Sequence, residues 1–263
     1  MAEHDEHESE YSDDLIARLG LLWGDGFLSP GGATEVAIVL EGVDLADRHV
    51  LDVGCGLGVI DVLLVREHGA QSVIGIDVEQ KLIDRAITSA AEAGLSDRIS
   101  FLRVQPGPFP FPDKTFDIVF SKDAMIHIPD KSALFTEVLR ILRPGGVFVA
   151  SDWLQSVAAG SSVTMREFCK VIGLTLNLET PDNTQRALNK AGFVEVALRD
   201  RHAWYRDEVR RESSLIRGSL KPEALELLGE EAYEHWLDVR GKEDIVLDKG
   251  ELRPTHLRAR RPD

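Results

Sequence analysis

An α/β fold, a parallel sheet with helices on both faces, is what this 263-residue sequence predicts, and three observations predict it. Residues 50–58 read as a buried strand that runs into a glycine-rich turn at Gly54, Gly56 and Gly58. A second apolar run, residues 73–76, ends in Asp77, 23 residues after Gly54. Strand-like and helix-like segments alternate from residue 50 to residue 151. A strand, a glycine turn, a helix and a strand-end acid together make a nucleoside site, the acid accepting hydrogen bonds from two ribose hydroxyls.

The elements follow in chain order. Leu15, Ile16, Leu19 and Leu22 recur at helical spacing over residues 12–22. Residues 27–32 form a loop, and residues 33–40 a helix that leads to the strand at 50–53. Then come a helix at 58–68, a strand at 73–76, a helix at 80–93, strands at 99–104 and 116–121, and a helix at 131–142. Leu142-Arg143-Pro144-Gly145-Gly146 reads as a turn before a strand at 147–151. Residues 153–180 break the rhythm as an inserted helical segment. Thr180-Pro181-Asp182 opens a helix to residue 191, with Thr180 as cap and proline in the first turn. Residues 193–198 alternate as a strand, residues 203–240 are charged and helical, and residues 250–259 can supply a final strand.

Composition bounds the function. With 43% hydrophobic residues the chain suits one large globular domain. It has no run of 18 apolar residues, so no membrane span is expected. The acidic start of the chain lacks the basic and apolar regions of a signal peptide. Two cysteines, Cys55 and Cys169, point to a reducing compartment, and the expected location is cytoplasmic. A formal net charge of −15 repels phosphate backbones and argues against a nucleic-acid partner. The eight histidines are scattered and no metal-ligating spacing stands out, His4 and His7 in the tail included.

The run Leu51-Asp52-Val53-Gly54-Cys55-Gly56-Leu57-Gly58, followed by the strand at 116–121 and the Leu142–Gly146 turn, resembles the class I S-adenosylmethionine-dependent methyltransferases. It differs from the pyrophosphate-binding glycine pattern of dehydrogenases. The resemblance covers roughly residues 28–200 and implies a Rossmann-like seven-stranded sheet whose last strand is antiparallel, with residues 250–259 as the candidate. It also implies S-adenosylmethionine as cofactor and S-adenosylhomocysteine as product. The chain then divides into an acidic tail and lid helix (1–27), a cofactor-binding core (28–152), a helical insertion over the acceptor pocket (153–180), and the C-terminal part of the sheet (181–263) with a helical insertion at 203–240. The two insertions would form a cap.

The resemblance places cofactor contacts on Leu28, Ser29, Gly54, Cys55, Gly56, Asp77, Val78 and Ser121. Asp52 would orient the glycine turn or the sulfonium end. At the adenine position, where many relatives carry an Asp, the chain has Gln105 and Pro106. The Gln105 amide oxygen still accepts from the adenine amino group, whereas Pro106 has no N–H to donate.

Two further segments narrow the resemblance. Ser121-Lys122-Asp123-Ala124-Met125-Ile126-His127-Ile128 is similar to the segment after the fourth strand of phosphoethanolamine N-methyltransferases. Residues 23–32 resemble the glycine-serine loop of the same enzymes, and Tyr11 stands 18 residues before Ser29. The resemblance makes Tyr11 and His127 a catalytic latch and turns Asp123 toward the substrate amine. An imidazole takes a proton near neutral pH, and a carboxylate orients an ammonium, so the residue types suit those roles. As a lone pair, an Asp four residues before a His is equally read as a structural hydrogen bond on a helix.

The phosphate side of the resemblance departs. Ile172 and Leu174 occupy the positions at which those enzymes carry an Arg and a Tyr for the substrate phosphate, and Trp153 replaces a second Tyr. A phosphate without a guanidinium fork loses its strongest partner. The expected acceptor is therefore a small amine, amino acid or nitrogen heterocycle, methylated at nitrogen. Ile172, Trp153, Trp204 and Tyr205 are candidates to line its pocket, and the three aromatics can cage a cation or simply pack the core. Two other readings stay open: methyl transfer to carbon or oxygen of a more apolar molecule, and a non-catalytic S-adenosylmethionine-binding protein.

Overall fold

Seven strands form a single sheet in the order β3-β2-β1-β4-β5-β7-β6 in this computed structural model, which describes residues 11–263. The strands are β1 (His49–Val53), β2 (Ser72–Asp77), β3 (Ile99–Arg103), β4 (Phe116–Lys122), β5 (Leu142–Gln155), β6 (Val194–Asp200) and β7 (Leu252–Arg260). The first five pair in parallel, and β7 enters antiparallel between β5 and β6. The tail at residues 1–10 lies outside the described residues.

Helices α2 (Gly32–Val39), α3 (Val59–Arg66) and α4 (Gln80–Glu92) cover one face, and α5 (Lys131–Ile141) and α7 (Pro181–Ala191) cover the other. The central strands therefore bury both faces. Val50, Leu51 and Val53 of β1 are all buried, each worth about 1.5–3 kcal/mol relative to exposure. Caps set the helix starts: Thr180 accepts from the Asn183 N–H with Pro181 following, and Asp130 accepts from the Ala133 N–H.

The turn expected at residues 142–146 is instead the opening of β5. Phe116 pairs with Leu142, but the next rung joins Ile118 to Val147, so residues 143–146 bulge between two rungs. Pro144 and two glycines carry a turn signal because a bulge needs the same backbone freedom. The helical region foreseen at 203–240 runs longer, as α8 (His202–Arg217) and α9 (Lys221–Asp248), the latter broken at Gly229.

The insertion at 153–180 contains a short 3-10 turn and α6 (Val163–Ile172). Its Met165 and Phe168 share an apolar cluster with Trp153, Tyr205, Val209 and Val246, which joins it to α8 and α9. A strap helix, α1 (Asp13–Trp23), crosses from the sheet helices to this layer. Asp13 pairs with Lys81 and Arg85 of α4, at 2.9 and 2.5 Å, and Leu21 and Leu22 pack beside Tyr233 and Trp236 of α9. The Trp23 indole N–H donates to Glu212 at 2.7 Å. Burial pushes Glu212 up to about 7 although Arg240 pairs with it. No helix among the described residues is long and apolar enough to cross a membrane.

Candidate active site

The carboxyl ends of the parallel strands β1, β2, β3 and β4 lie along one edge of the sheet. β1 passes into the glycine turn, where Gly54 takes φ 80° and Gly56 takes φ 54°. A Cβ on Gly54 would lie 2.2 Å from the Ala124 Cβ, so the turn and the segment after β4 approach as only glycine permits. The N–H groups of Gly54 and Cys55 donate to the Ile76 carbonyl at 2.8 and 3.1 Å, which pins the turn to β2. Asp77, at the tip of β2, accepts from the Gly56 N–H at 3.1 Å and the Glu79 N–H at 3.0 Å. Beside it Val78 is 49% exposed, an apolar platform, and Gln105 and Pro106 are exposed just beyond β3. Leu28 lies over Gly56. These groups fit a nucleoside cofactor: a Cβ-free cradle, a strand-end carboxylate and an apolar shelf lie together.

Two expected contacts are taken up elsewhere. Ser121 is fully buried and its hydroxyl donates to the Val53 carbonyl at 2.8 Å, tying β4 to β1 rather than facing a ligand. Asp52 is buried beneath the turn next to Asp61 of α3. Burial and the Asp77 charge push Asp52 up to about 8, and burial and Asp52 push Asp61 up as well. Two carboxyls in one apolar site cannot both ionise cheaply, so a proton stays between them. Asp52 therefore supports the turn from below.

This pair has a measurable consequence. The native state holds on Asp52 a proton that an unfolded chain, with the ordinary value of 3.8, releases. Stability from this group is present at low pH and falls as pH rises toward about 8. One such proton tilts stability by about 1.4 kcal/mol per pH unit. Asp61→Asn offers Asp52 an amide N–H and removes the competing charge. The drop in unfolding midpoint between pH 5.5 and pH 8.5 is expected to be smaller in Asp61→Asn than in the parent chain; an unchanged drop would rule out the shared proton.

The acceptor end begins where β4 stops. Asp123 sits at φ 54° between the strand and a 3-10 turn, Met125–His127, so Asp123 and His127 do not share the helix face that their spacing suggests. Asp123 accepts from Lys122 Nζ at 2.8 Å and from the Ser151 hydroxyl at 2.7 Å. Lys122 also donates to the Ser29 hydroxyl at 2.7 Å and the Pro30 carbonyl at 2.9 Å. One buried ammonium thus fastens the 28–32 loop to the end of β4, and Ser29 is held by it.

His127 donates from Nδ1 to the Thr175 carbonyl at 2.9 Å, since a carbonyl only accepts. In the neutral ring Nε2 then carries the lone pair, and the Tyr11 hydroxyl, 3.3 Å away, donates to it. The Asn177 N–H donates to the Ile126 carbonyl at 2.6 Å, and the Asn177 amide to the His127 carbonyl at 3.2 Å, so the insertion is tied to this turn. The structure brings Tyr11 and His127 together although 116 residues separate them.

Trp153, Trp204 and Tyr205 border one small cavity with Asp123, Lys122 and Ser151. They do not form an open cage. The Tyr205 hydroxyl donates to Glu243 at 2.6 Å, the Trp204 face is covered by the Arg201 guanidinium at 4.6 Å, and Trp153 packs on Tyr205 and Phe168. Ile172 packs against the apolar cluster around Phe168 rather than lining the cavity. Three residues of this region escaped the sequence: Glu35, Arg201 and His256 meet from α2, the β6–α8 turn and β7. Glu35 was visible as the one charge in the apolar run of α2, and Lys122 as a lysine ending an apolar strand. Among the described residues no group of three His, Cys, Asp or Glu side chains is arranged to hold a metal ion.

A family described as a methyltransferase domain matches residues 50–146, the glycine turn through the start of β5. The Arabidopsis thaliana phosphoethanolamine N-methyltransferase 1 is 32% identical over 204 residues, covering 77% of this chain and 40% of that protein. The chain thus spans less than half the length of this relative. Among solved structures, Haemonchus contortus phosphoethanolamine N-methyltransferase 2, with phosphomonomethylethanolamine and S-adenosylhomocysteine, superposes with a TM-score of 0.89 at 21% identity, covering 97% of this chain and 59% of that one. Geranyl diphosphate C-methyltransferase from Streptomyces coelicolor superposes with a TM-score of 0.71 at 19% identity, covering 98% and 83%. At these identities the superpositions speak for the fold.

Proposed function

We propose that this chain, which matches a methyltransferase-domain family over residues 50–146 and resembles the phosphoethanolamine N-methyltransferases, is a class I S-adenosylmethionine-dependent methyltransferase that methylates the nitrogen of a small amine, amino acid or nitrogen heterocycle. The observation that supports the reading best is the Tyr11–His127–Thr175 chain, in which His127 Nε2 accepts from the Tyr11 hydroxyl on the segment that follows Asp123. An amine bound as its ammonium must lose a proton before its lone pair can attack the methyl group, and an imidazole is a group that takes it.

When bound, S-adenosylmethionine supplies a methyl group already activated on a sulfonium. Asp77 would hold its ribose hydroxyls, Gly54, Cys55 and Gly56 would pass beneath it, and Leu28, Val78, Gln105 and Pro106 would border it. Asp123 orients the acceptor nitrogen through the carboxylate oxygens that Lys122 and Ser151 fix. The acceptor proton reaches His127 Nε2 through the Tyr11 hydroxyl, which passes its own proton to the ring as it takes one from the nitrogen. Tyr11, at the start of the strap helix, closes the site and holds the imidazole in one tautomer. The two free cysteines fit a reducing, cytoplasmic setting.

Carbon or oxygen methylation of an apolar acceptor is the second reading, favoured by the sterol 24-C-methyltransferase of Aspergillus fumigatus, 38% identical over 109 residues. Against it, Ile172, Leu176 and Leu178 spend their apolar surface on packing within the cap. Methyl transfer to a panel of amines, amino acids, imidazoles and apolar alkenes and phenols, read by product mass, tests the choice. Methylated nitrogen products are expected, with phosphoethanolamine inert. Products from the apolar acceptors alone would overturn the nitrogen reading, and turnover of phosphoethanolamine would show that other groups replace the missing Arg and Tyr.

A further inference from the structure

The acceptor cavity presents a second charged group besides Asp123. Arg201 lies in the turn between β6 and α8, and it borders the same cavity as Asp123 and Ser151. Its Nε and Nη2 donate to the two oxygens of Glu35 at 2.9 and 2.7 Å. Glu35 also accepts from His256 Nε2 at 2.7 Å. Burial alone would push Glu35 up, but the hydrogen bonds from His256 and Arg201 outweigh it and hold the carboxyl below its ordinary value. The carboxylate is therefore ionised and fixes the guanidinium from one side, while the Trp204 ring lies against its face. Gly31, at φ 85°, makes this approach possible, since a Cβ there would meet the Trp204 ring at 3.0 Å.

A guanidinium so held has one nitrogen, Nη1, that the Glu35 fork does not use. Charge counting then selects the ligand. Glu35 cancels Arg201, and Asp123 cancels Lys122. Such a site accepts a molecule that is neutral overall but carries separated charges, the ammonium against Asp123 and one anionic group against Arg201. A phosphate dianion would leave uncompensated charge in a buried site. The room between these side chains is about 10 Å³, that of one water molecule, so an acceptor enters by shifting a side chain.

We propose that the acceptor is a small zwitterionic amino acid, its nitrogen at Asp123 and its carboxylate accepting a hydrogen bond from Arg201. This rests on the nitrogen-methylation reading above. Arg201 is then the residue that sets specificity for the carboxylate, and it takes no part in the proton transfer.

The test compares each acid with its amide: glycine with glycinamide, N-methylglycine with its amide, and β-alanine with its amide, with ethylamine as the tail-free amine. kcat/KM is measured for the parent enzyme, for Arg201→Lys and for Arg201→Gln. In the parent the best acid is expected to exceed its amide by about 10-fold or more, the worth of a charge-assisted hydrogen bond. Arg201→Lys and Arg201→Gln are expected to shrink that ratio toward one, chiefly through the KM of the acid. The parent ratio needs no variant, so it decides even if a substitution unfolds the chain. Amides or ethylamine used as well as the acids would overturn the proposal and leave nitrogen methylation standing. No turnover of any amine or amino acid would overturn both.

Discussion

His127→Ala is expected to lower kcat by about 10²- to 10⁴-fold, the range a positioned general base contributes. The imidazole is held at both nitrogens, by the Thr175 carbonyl on one side and the Tyr11 hydroxyl on the other. Removing it leaves the acceptor proton without a receiver near Asp123. Tyr11→Phe removes the hydroxyl that relays the proton to Nε2 and is expected to slow kcat by about 10²-fold, the low end of that range. Because the two side chains act through one contact, the double variant should be no slower than His127→Ala alone. Product mass against time gives the rates, and calorimetric titration with S-adenosylhomocysteine checks that cofactor binding survives. Near-parental turnover by His127→Ala would remove proton transfer at this residue from the mechanism.

Gly54→Ala is expected to be the most damaging single methyl in the chain. At φ 80° a side chain costs about 1–2 kcal/mol, and a Cβ 2.2 Å from the Ala124 Cβ adds about 1–3 kcal/mol of overpacking. The two faults sum to about 2–5 kcal/mol, a large share of the 5–15 kcal/mol that holds a typical domain. Relief of the clash would also pull Gly54 and Cys55 from the Ile76 carbonyl, so cofactor affinity should fall together with stability. Urea unfolding and titration with S-adenosylhomocysteine read the two effects. Adding Ala124→Gly separates the causes, because it removes the contact but not the strained φ. Partial recovery is expected. Full stability in Gly54→Ala alone would show that the turn yields easily.

Local signals made the nucleotide half of the molecule legible. The glycine turn, the acid that ends β2 and the alternating apolar runs are each written within a few residues. The end of β4 was harder. Asp123 and His127 have helical spacing, but the left-handed backbone at Asp123 breaks the helix before it starts, and no nearby glycine warns of it. The start of β5 was masked because a bulge and a turn draw on the same residues. Arg201 and Glu35, 166 positions apart, meet only through the sheet, and His256 reaches Glu35 from 221 positions away. Local periodicity carries no trace of such pairs. What it does carry is the anomaly of Glu35 among valines and alanine, a buried charge in search of partners.

The place of β7 also governs the order in which the protein can assemble as it is made. Among the described residues β6 joins the sheet only by pairing with β7, more than fifty residues later in the chain. While the ribosome is still translating α8 and α9, β1 to β5 can already pair and enclose the glycine turn. The Arg201 wall of the acceptor cavity cannot, because Arg201 is anchored to the Pro254 carbonyl and Glu35 awaits His256. A nascent chain stalled before residue 252 would therefore own a cofactor groove and no acceptor site. The capacity to hold the methyl donor precedes, in the life of each molecule, the capacity to spend it.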